Sequence, residues 1–283
     1  MQIASIVPHA WVGPALKLHD DEGLPCRTHL LLTSSLGGDY SLGAYTDALE
    51  RGHTLILDND AWETQQGAST PAVVQAIHQL APNPTIASYD DAQLVIVLTD
   101  VLMDAEETVQ RSIIAAHELD HALPRVRFSY MIVPQGRSLQ EWTSCLLSLL
   151  SASRYFPRLV TRVGITRCVN EYVHIKTASS IAWALSNTTQ HLLGFDTTFY
   201  RNYLGCAHWW GVGSIDTAKP AIWAMRGREW CPKFTPPTAV RRPRRFFEDD
   251  AHGLRWELYT RSLRTLNEHI HTRTAPDEQQ GSL

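Results

Sequence analysis

The sequence gives its few cysteines no partners. Cys26, Cys145, Cys168, Cys206 and Cys231 are odd in number and far apart, and none forms a CxC or CxxC pair. That spacing argues against a disulfide framework or a thiolate zinc site and fits a reducing, intracellular setting. Long apolar runs are missing as well. No stretch approaches the ~18 uninterrupted apolar residues of a membrane helix. The start, MQIASIVPHAWVG, lacks the basic head and apolar core of a signal peptide. A soluble, cytoplasmic protein is expected. Neither sign of charge dominates: 25 Lys and Arg face 29 Asp and Glu, for a net charge of −4. Any nucleic-acid contact must therefore come from local patches. No internal repeat or linker stands out.

What is present is ordinary globular composition, 44% hydrophobic and 19% charged over 283 residues, enough for a large core. Short β-branched apolar runs recur at 3–7, 29–34, 54–58, 93–99, 127–133, 159–165, 189–194 and 211–216. Segments with helical spacing lie between them. Residues 105–122 open with acids, as suits a helix N-terminus. Residues 138–152 open with Ser138 and Glu141, the spacing of a capping box. Such alternation predicts parallel strands in an α/β fold, and eight repeats predict a (β/α)₈ barrel of the TIM type. An open doubly wound sheet is the alternative. After about residue 232 the chain turns rich in Pro and Arg, then forms a last helix near 251–271. The expected organisation is one barrel over 1–272, including that basic segment and helix, with a disordered tail over 273–283.

In such a barrel the chemistry sits at the carboxyl ends of the strands. Those ends read LILDND, VLTDVLMD, IVPQG, VGIT, HLLG and GSIDT. An Asp after a strand is often only a helix N-cap. Three of them around one mouth, with a Gln-Gly, make a candidate site: Asp58, Asp100, Gln135, Gly136 and Asp216.

The motifs carrying these residues are Leu55–Glu63 (LILDNDAWE), Asp100-Val101-Leu102-Met103, Val133-Pro134-Gln135-Gly136, Gly164-Ile165, Leu192-Leu193-Gly194 and Gly213-Ser214-Ile215-Asp216-Thr217. Over about residues 54–220 their order resembles the queuine/archaeosine tRNA-guanine transglycosylase superfamily, above all its phage and bacterial DNA-modifying branch. The resemblance implies a pentosyltransferase that replaces guanine with a 7-deazaguanine derivative, such as 7-cyano-7-deazaguanine. It implies Asp216 as nucleophile and Asp58 as proton shuttle. Asp100, Gln135, Gly136, Gly164, Leu193 and Gly194 would surround the base. The tRNA enzymes carry a CxCxxC…H zinc site after the nucleophile, whereas only Cys231 follows Asp216 here. With the short chain, that favours DNA over tRNA as partner, with no cofactor and no metal.

The chemistry accounts for such a set. Base exchange with retention needs two displacements, and a carboxylate both stabilises an oxocarbenium charge and bonds to it. A second carboxyl must protonate the leaving base, which requires a pKa nearer neutrality. Guanine offers two adjacent N–H donors that one carboxylate, Asp100, accepts, while Gln135 and the Gly136 N–H meet its carbonyl. The target base must be flipped out or single-stranded. Arg241, Arg242, Arg244 and Arg245, beside Phe246 and Phe247, would serve phosphates and stacking. The bland alternative is a solvated loop offset by Glu248, Asp249 and Asp250. Trp209, Trp210, Trp223 and Trp230 would wall the pocket or, for most of them, pack helices. Asp60, in a turn without the family's small residues, is a further candidate.

Two other classes compete. His117-Glu118-Leu119-Asp120-His121 is a literal HExxH, the spacing of a zinc metalloprotease. It lies at a predicted helix C-terminus, the end of a barrel remote from the mouth, and no third ligand helix follows. The other class is a nucleic-acid-binding barrel without catalysis, against which Asp58, Asp100 and Asp216 speak.

Overall fold

The computed structural model describes residues 2–7, 12–21, 28–33, 39–61, 67–80, 93–166, 169, 175–194, 211–217, 219–225, 227, 229 and 256–271. Eight strands run through them: β1 (Gln2–Ser5), β2 (Thr28–Leu32), β3 (Thr54–Asp58), β4 (Leu94–Val97), β5 (Ser129–Ile132), β6 (Val160–Thr166), β7 (Thr189–Leu193) and β8 (Val212–Thr217). Each pairs in parallel with the next. β8 pairs back onto β1, with Ala4 opposite Asp216, so the sheet closes into a barrel. Every strand therefore ends on the same rim. All eight coincide with the predicted strands to within three residues at either end.

Parallel strands covered by helices on one side and by each other on the other read as continuous apolar runs. β4 and β5 are buried at every position. Helices α1 (Val12–Asp21), α2 (Asp39–Glu50), α3 (Thr70–Leu80), α4 (Ala105–Ala122), α5 (Leu139–Ala152) and α6 (Ile175–Ser186) follow strands in alternation. The β7–β8 connection, 195–210, lies outside the described residues, as do the basic run Arg241–Arg245 and the tail 273–283. α7 (Lys219–Met225) follows β8. α8 (Trp256–His271) packs against it, burying Tyr259, Leu263 and Leu266 in the main core. No helix among the described residues is long and apolar enough to cross a membrane.

The predicted helix starts hold, with one difference in detail. Ser138 accepts the Glu141 N–H at 3.2 Å, as a capping box requires. Glu141, however, accepts the N–H of Arg137 at 2.8 Å rather than that of Ser138, one residue further back. α4 gains a cap that the acid pattern did not single out: Asp104 accepts the Glu107 N–H at 3.0 Å.

Because Leu266 is fully buried, the C-terminal helix is part of the core. Leu266→Ala should lower unfolding free energy by roughly 2–5 kcal/mol. Urea titration checks this; a change under about 0.5 kcal/mol would mean that α8 docks only loosely.

Candidate active site

Three strand ends on adjacent strands meet through side chains. Asp100, just past β4, is buried. One carboxylate oxygen accepts from Asn59 Nδ2, just past β3, at 2.7 Å. The other accepts from Gln135 Nε2, just past β5, at 2.6 Å. Both amides are themselves fixed. Asn59 also donates to the Leu98 carbonyl at 2.7 Å, and its own Oδ1 accepts the Ala61 N–H at 2.9 Å. Gln135 Oε1 accepts the Met103 N–H at 3.3 Å. Behind Gln135 the buried Cys145 thiol receives its backbone N–H at 3.5 Å, and burial pushes that thiol up to about 11, so it stays protonated.

α4 holds the loop that carries Asp100. Thr108 Oγ1 accepts the Val101 N–H at 2.9 Å and donates to the Val101 carbonyl at 3.1 Å, and Ser112 donates to the Thr99 carbonyl at 2.9 Å. Met103 closes this loop with a φ of 63°, a left-handed conformation that side chains seldom adopt. Such strain persists only where the surroundings enforce it.

Burial raises the Asp100 carboxyl to about 6, against the opposing pull of the Asn59 and Gln135 hydrogen bonds. The acid is ionised at neutral pH but close to protonation.

On the far side of the rim, Asp216 is buried near the end of β8. Its Oδ1 accepts the Gly194 N–H at 2.5 Å. Gly194 has a φ of 66°, so the turn that aims this N–H at Asp216 suits glycine. Leu193 is half-buried beside it. Gly164, on β6, faces a close approach: a β-carbon there would lie 2.8 Å from Val133 Cγ2 and 2.9 Å from Leu193 Cδ1. A β-carbon on Gly136 would lie 2.6 Å from the Trp142 backbone nitrogen, so this residue lets the post-β5 loop rest on α5.

Asp58 ends β3 half-buried, and its carbonyl accepts the Thr33 hydroxyl at 2.6 Å. Asp60, two residues on, is fully buried with a φ of 58°. The sequence pattern singles out Asp58 and Asp60 in this turn and not Asn59 between them, yet Asn59 is the residue that joins Asp58's strand to Asp100. Its signal was position: a side-chain amide directly after a strand, beside a rim acid. A second set went unnoticed, Arg162, His191 and Ser214, one polar residue inside each of strands β6, β7 and β8.

The remaining candidates lie elsewhere. His117 and His121 are exposed on the last turns of α4, away from the rim, with the His117 ring edge-on to Phe156 at 6.5 Å. Asp120, between them, pairs with Arg158 at 2.7 Å. Among the described residues no group of three His, Cys, Asp or Glu side chains is placed to hold a metal ion. Trp223 is buried in the α7 core, whereas Trp209, Trp210 and Trp230 lie outside the described residues.

No protein-family model matches this chain, and no curated protein sequence does. Solved structures do match. One, assigned as a fructose-1,6-biphosphate aldolase from Coccidioides immitis, is 9% identical with a TM-score of 0.54, over 96% of this chain and 87% of that one. The YdjI aldolase of Escherichia coli K12 is 9% identical with a TM-score of 0.53, over 97% and 88%. The carboxyl transferase domain of Rhizobium etli pyruvate carboxylase is 10% identical with a TM-score of 0.50, over 96% of this chain but 48% of that chain. At such identities the likeness is one of fold alone. These proteins are built on TIM barrels, and this chain shares their α/β architecture of curled parallel strands.

The raised Asp100 pKa carries a stability consequence. The folded carboxyl keeps a proton that the unfolded one has lost, so its contribution is present below about 4 and fades as pH rises through about 6. The loss is about 3 kcal/mol for a shift of this size. Relative to wild type, Asp100→Asn should therefore gain stability between pH 4 and pH 7. Urea unfolding at both pH values tests this, and a constant difference would contradict it.

Proposed function

We propose that this chain is a (β/α)₈ enzyme catalysing base exchange in DNA, replacing guanine with a 7-deazaguanine base through a covalent Asp216–sugar intermediate. The observation that carries the reading is the pairing of two buried acids on one rim, each held by aimed N–H donors. Asp216 accepts from Gly194, and Asp100 from Asn59 and Gln135.

The first displacement forms a bond between a carboxylate oxygen of Asp216 and C1′, while the C1′–N9 pair leaves with guanine. Asp58 supplies the proton that the departing base needs. In the second step Asp58 takes the N9 proton of the incoming base, N9 bonds to C1′, and the C1′–O pair returns to Asp216. Two inversions give retention. No further reactant is required.

Asp100 suits the reading of a guanine edge. Its oxygens accept from Asn59, Gln135 and the residue's own backbone N–H, and a carboxylate has about four acceptor positions. The guanine N1–H and exocyclic amine would share what remains. A carboxyl near pH 6 is ionised at neutral pH, so base binding should weaken as pH falls below about 6. Gln135, with its oxygen engaged by Met103, has one amide hydrogen left for the base carbonyl. The family resemblance supplies the choice of DNA and of a 7-deazaguanine, and the basic run Arg241–Arg245 would bind the phosphates.

Covalent trapping tests this. Wild type incubated with a guanine-containing single-stranded DNA oligonucleotide should give a denaturation-resistant adduct, and Asp216→Asn should give none. Nucleoside mass spectrometry of cells expressing the protein should then find the deazaguanine in DNA. Its appearance in tRNA would move the substrate to RNA. With wild type, no adduct and no guanine exchange on either nucleic acid would refute the reading.

A further inference from the structure

Inside the barrel, a line of polar groups leads to Asp216. Ser214 precedes it by two residues on β8 and so shares its inward face. His191 of β7 stands in register with Ser214, and Arg162 lies one strand further on β6. Arg162 Nη1 donates to Ser214 Oγ at 3.0 Å. The same hydroxyl meets His191 Nδ1 at 2.7 Å. His191 Nε2 then lies 4.0 Å from Asp216 Oδ1, the oxygen that Gly194 already holds.

The positions of the hydrogens follow from what each group can do. A guanidinium only donates, so Arg162 uses one lone pair of Ser214. The Ser214 hydrogen is then available to His191 Nδ1, which leaves the ring proton on Nε2. The opposite arrangement would turn a bare nitrogen lone pair towards a carboxylate. An Nε2–H attracts that anion, whereas a lone pair repels it. Among the described residues the fully buried Nε2 has no hydrogen-bond partner. A buried polar atom left in this way needs an explanation. At 4.0 Å the contact is electrostatic rather than a hydrogen bond.

We infer that Arg162, Ser214 and His191 form a one-way donor chain whose last member, His191, is a positioning residue for the Asp216 carboxylate. The catalytic part of this inference rests on Asp216 being the nucleophile proposed above; the direction of the chain does not. His191 acts without changing charge. Burial first, and the charge of Arg162 second, push it down to about 3, so it is neutral throughout the working range. It neither supplies nor removes the proton of the reaction. Its N–H joins that of Gly194 at Oδ1, fixes the plane of the carboxylate, and stabilises the charge that returns when the sugar leaves. The second displacement should therefore depend on it more than the first.

Two measurements separate this inference from the base-exchange reading. In ¹⁵N-labelled wild type, long-range ¹H–¹⁵N spectra should show the His191 ring neutral and protonated on Nε2 from pH 5 to pH 8. In Asp216→Asn, with the anion gone, the Nδ1–H form should become populated. An Nδ1–H or doubly protonated ring in wild type, or a ring unchanged by Asp216→Asn, overturns the chain whether or not the protein exchanges bases. In the trapping assay, His191→Phe should slow discharge of the adduct about 100-fold, the loss typical of one aimed donor, while slowing its formation less. His191→Gln, which returns an N–H, should recover part of that loss. Equal slowing of both steps, without recovery by Gln, would mean that His191 only fills space. If wild type forms no adduct, the base-exchange reading falls, and the tautomer data alone decide the chain.

Discussion

A carboxylate removed from water has to be held by donors or give up its charge, and Asp100 sits close to that boundary. Two side-chain amides on neighbouring strands meet its two oxygens, and backbone groups fix both amides in turn. Much of the rim is arranged around this one requirement. Met103 and the protonated thiol hold Gln135, while the hydroxyls of Thr108 and Ser112 hold the loop that carries Asp100. Removing one of those donors would leave a buried charge short of a partner, a larger cost than the loss of an ordinary surface contact.

Asp216 is served by a different solution to the same problem. Among the described residues it accepts a backbone N–H made available by a left-handed glycine, and a neutral ring, oriented by an arginine two groups away, stands 4.0 Å from the same oxygen. The cation and the anion never touch. A direct Arg162–Asp216 pair would offset the charge of the carboxylate, whereas a neutral relay passes on orientation and leaves the negative charge in place. The two acids are thereby kept distinct: one poised near neutrality by burial, the other surrounded by fixed dipoles.

Most of the fold was legible in the sequence, because strands buried on both faces leave uninterrupted apolar runs and the helices between them open with recognisable caps. β3, LILD, ends at the residue where its apolar run meets Asp58. The site was legible to the extent that it sits where strands end. Asp100, Gln135 and Asp216 stand out as candidates because an acid or amide breaks an apolar pattern at that point. Asn59 was passed over because a turn residue has a ready local explanation, and only the three-dimensional neighbour, 41 positions away, reveals its partner. Arg162, His191 and Ser214 were missed because single polar residues within separate strands carry no sequence-level sign of one another. Only closure of the barrel brings them into line.

The two polar networks divide the molecule unequally. Asn59, Asp100 and Gln135 stitch together the ends of β3, β4 and β5, while Arg162, His191 and Ser214 link the interiors of β6, β7 and β8. The turn at Ser153–Tyr155 and the residues up to β6 fall between them, at the protein surface. A break in the chain there would leave each network whole within its own fragment. The barrel thus has two parts in its chemistry, five strands before that turn and three after it.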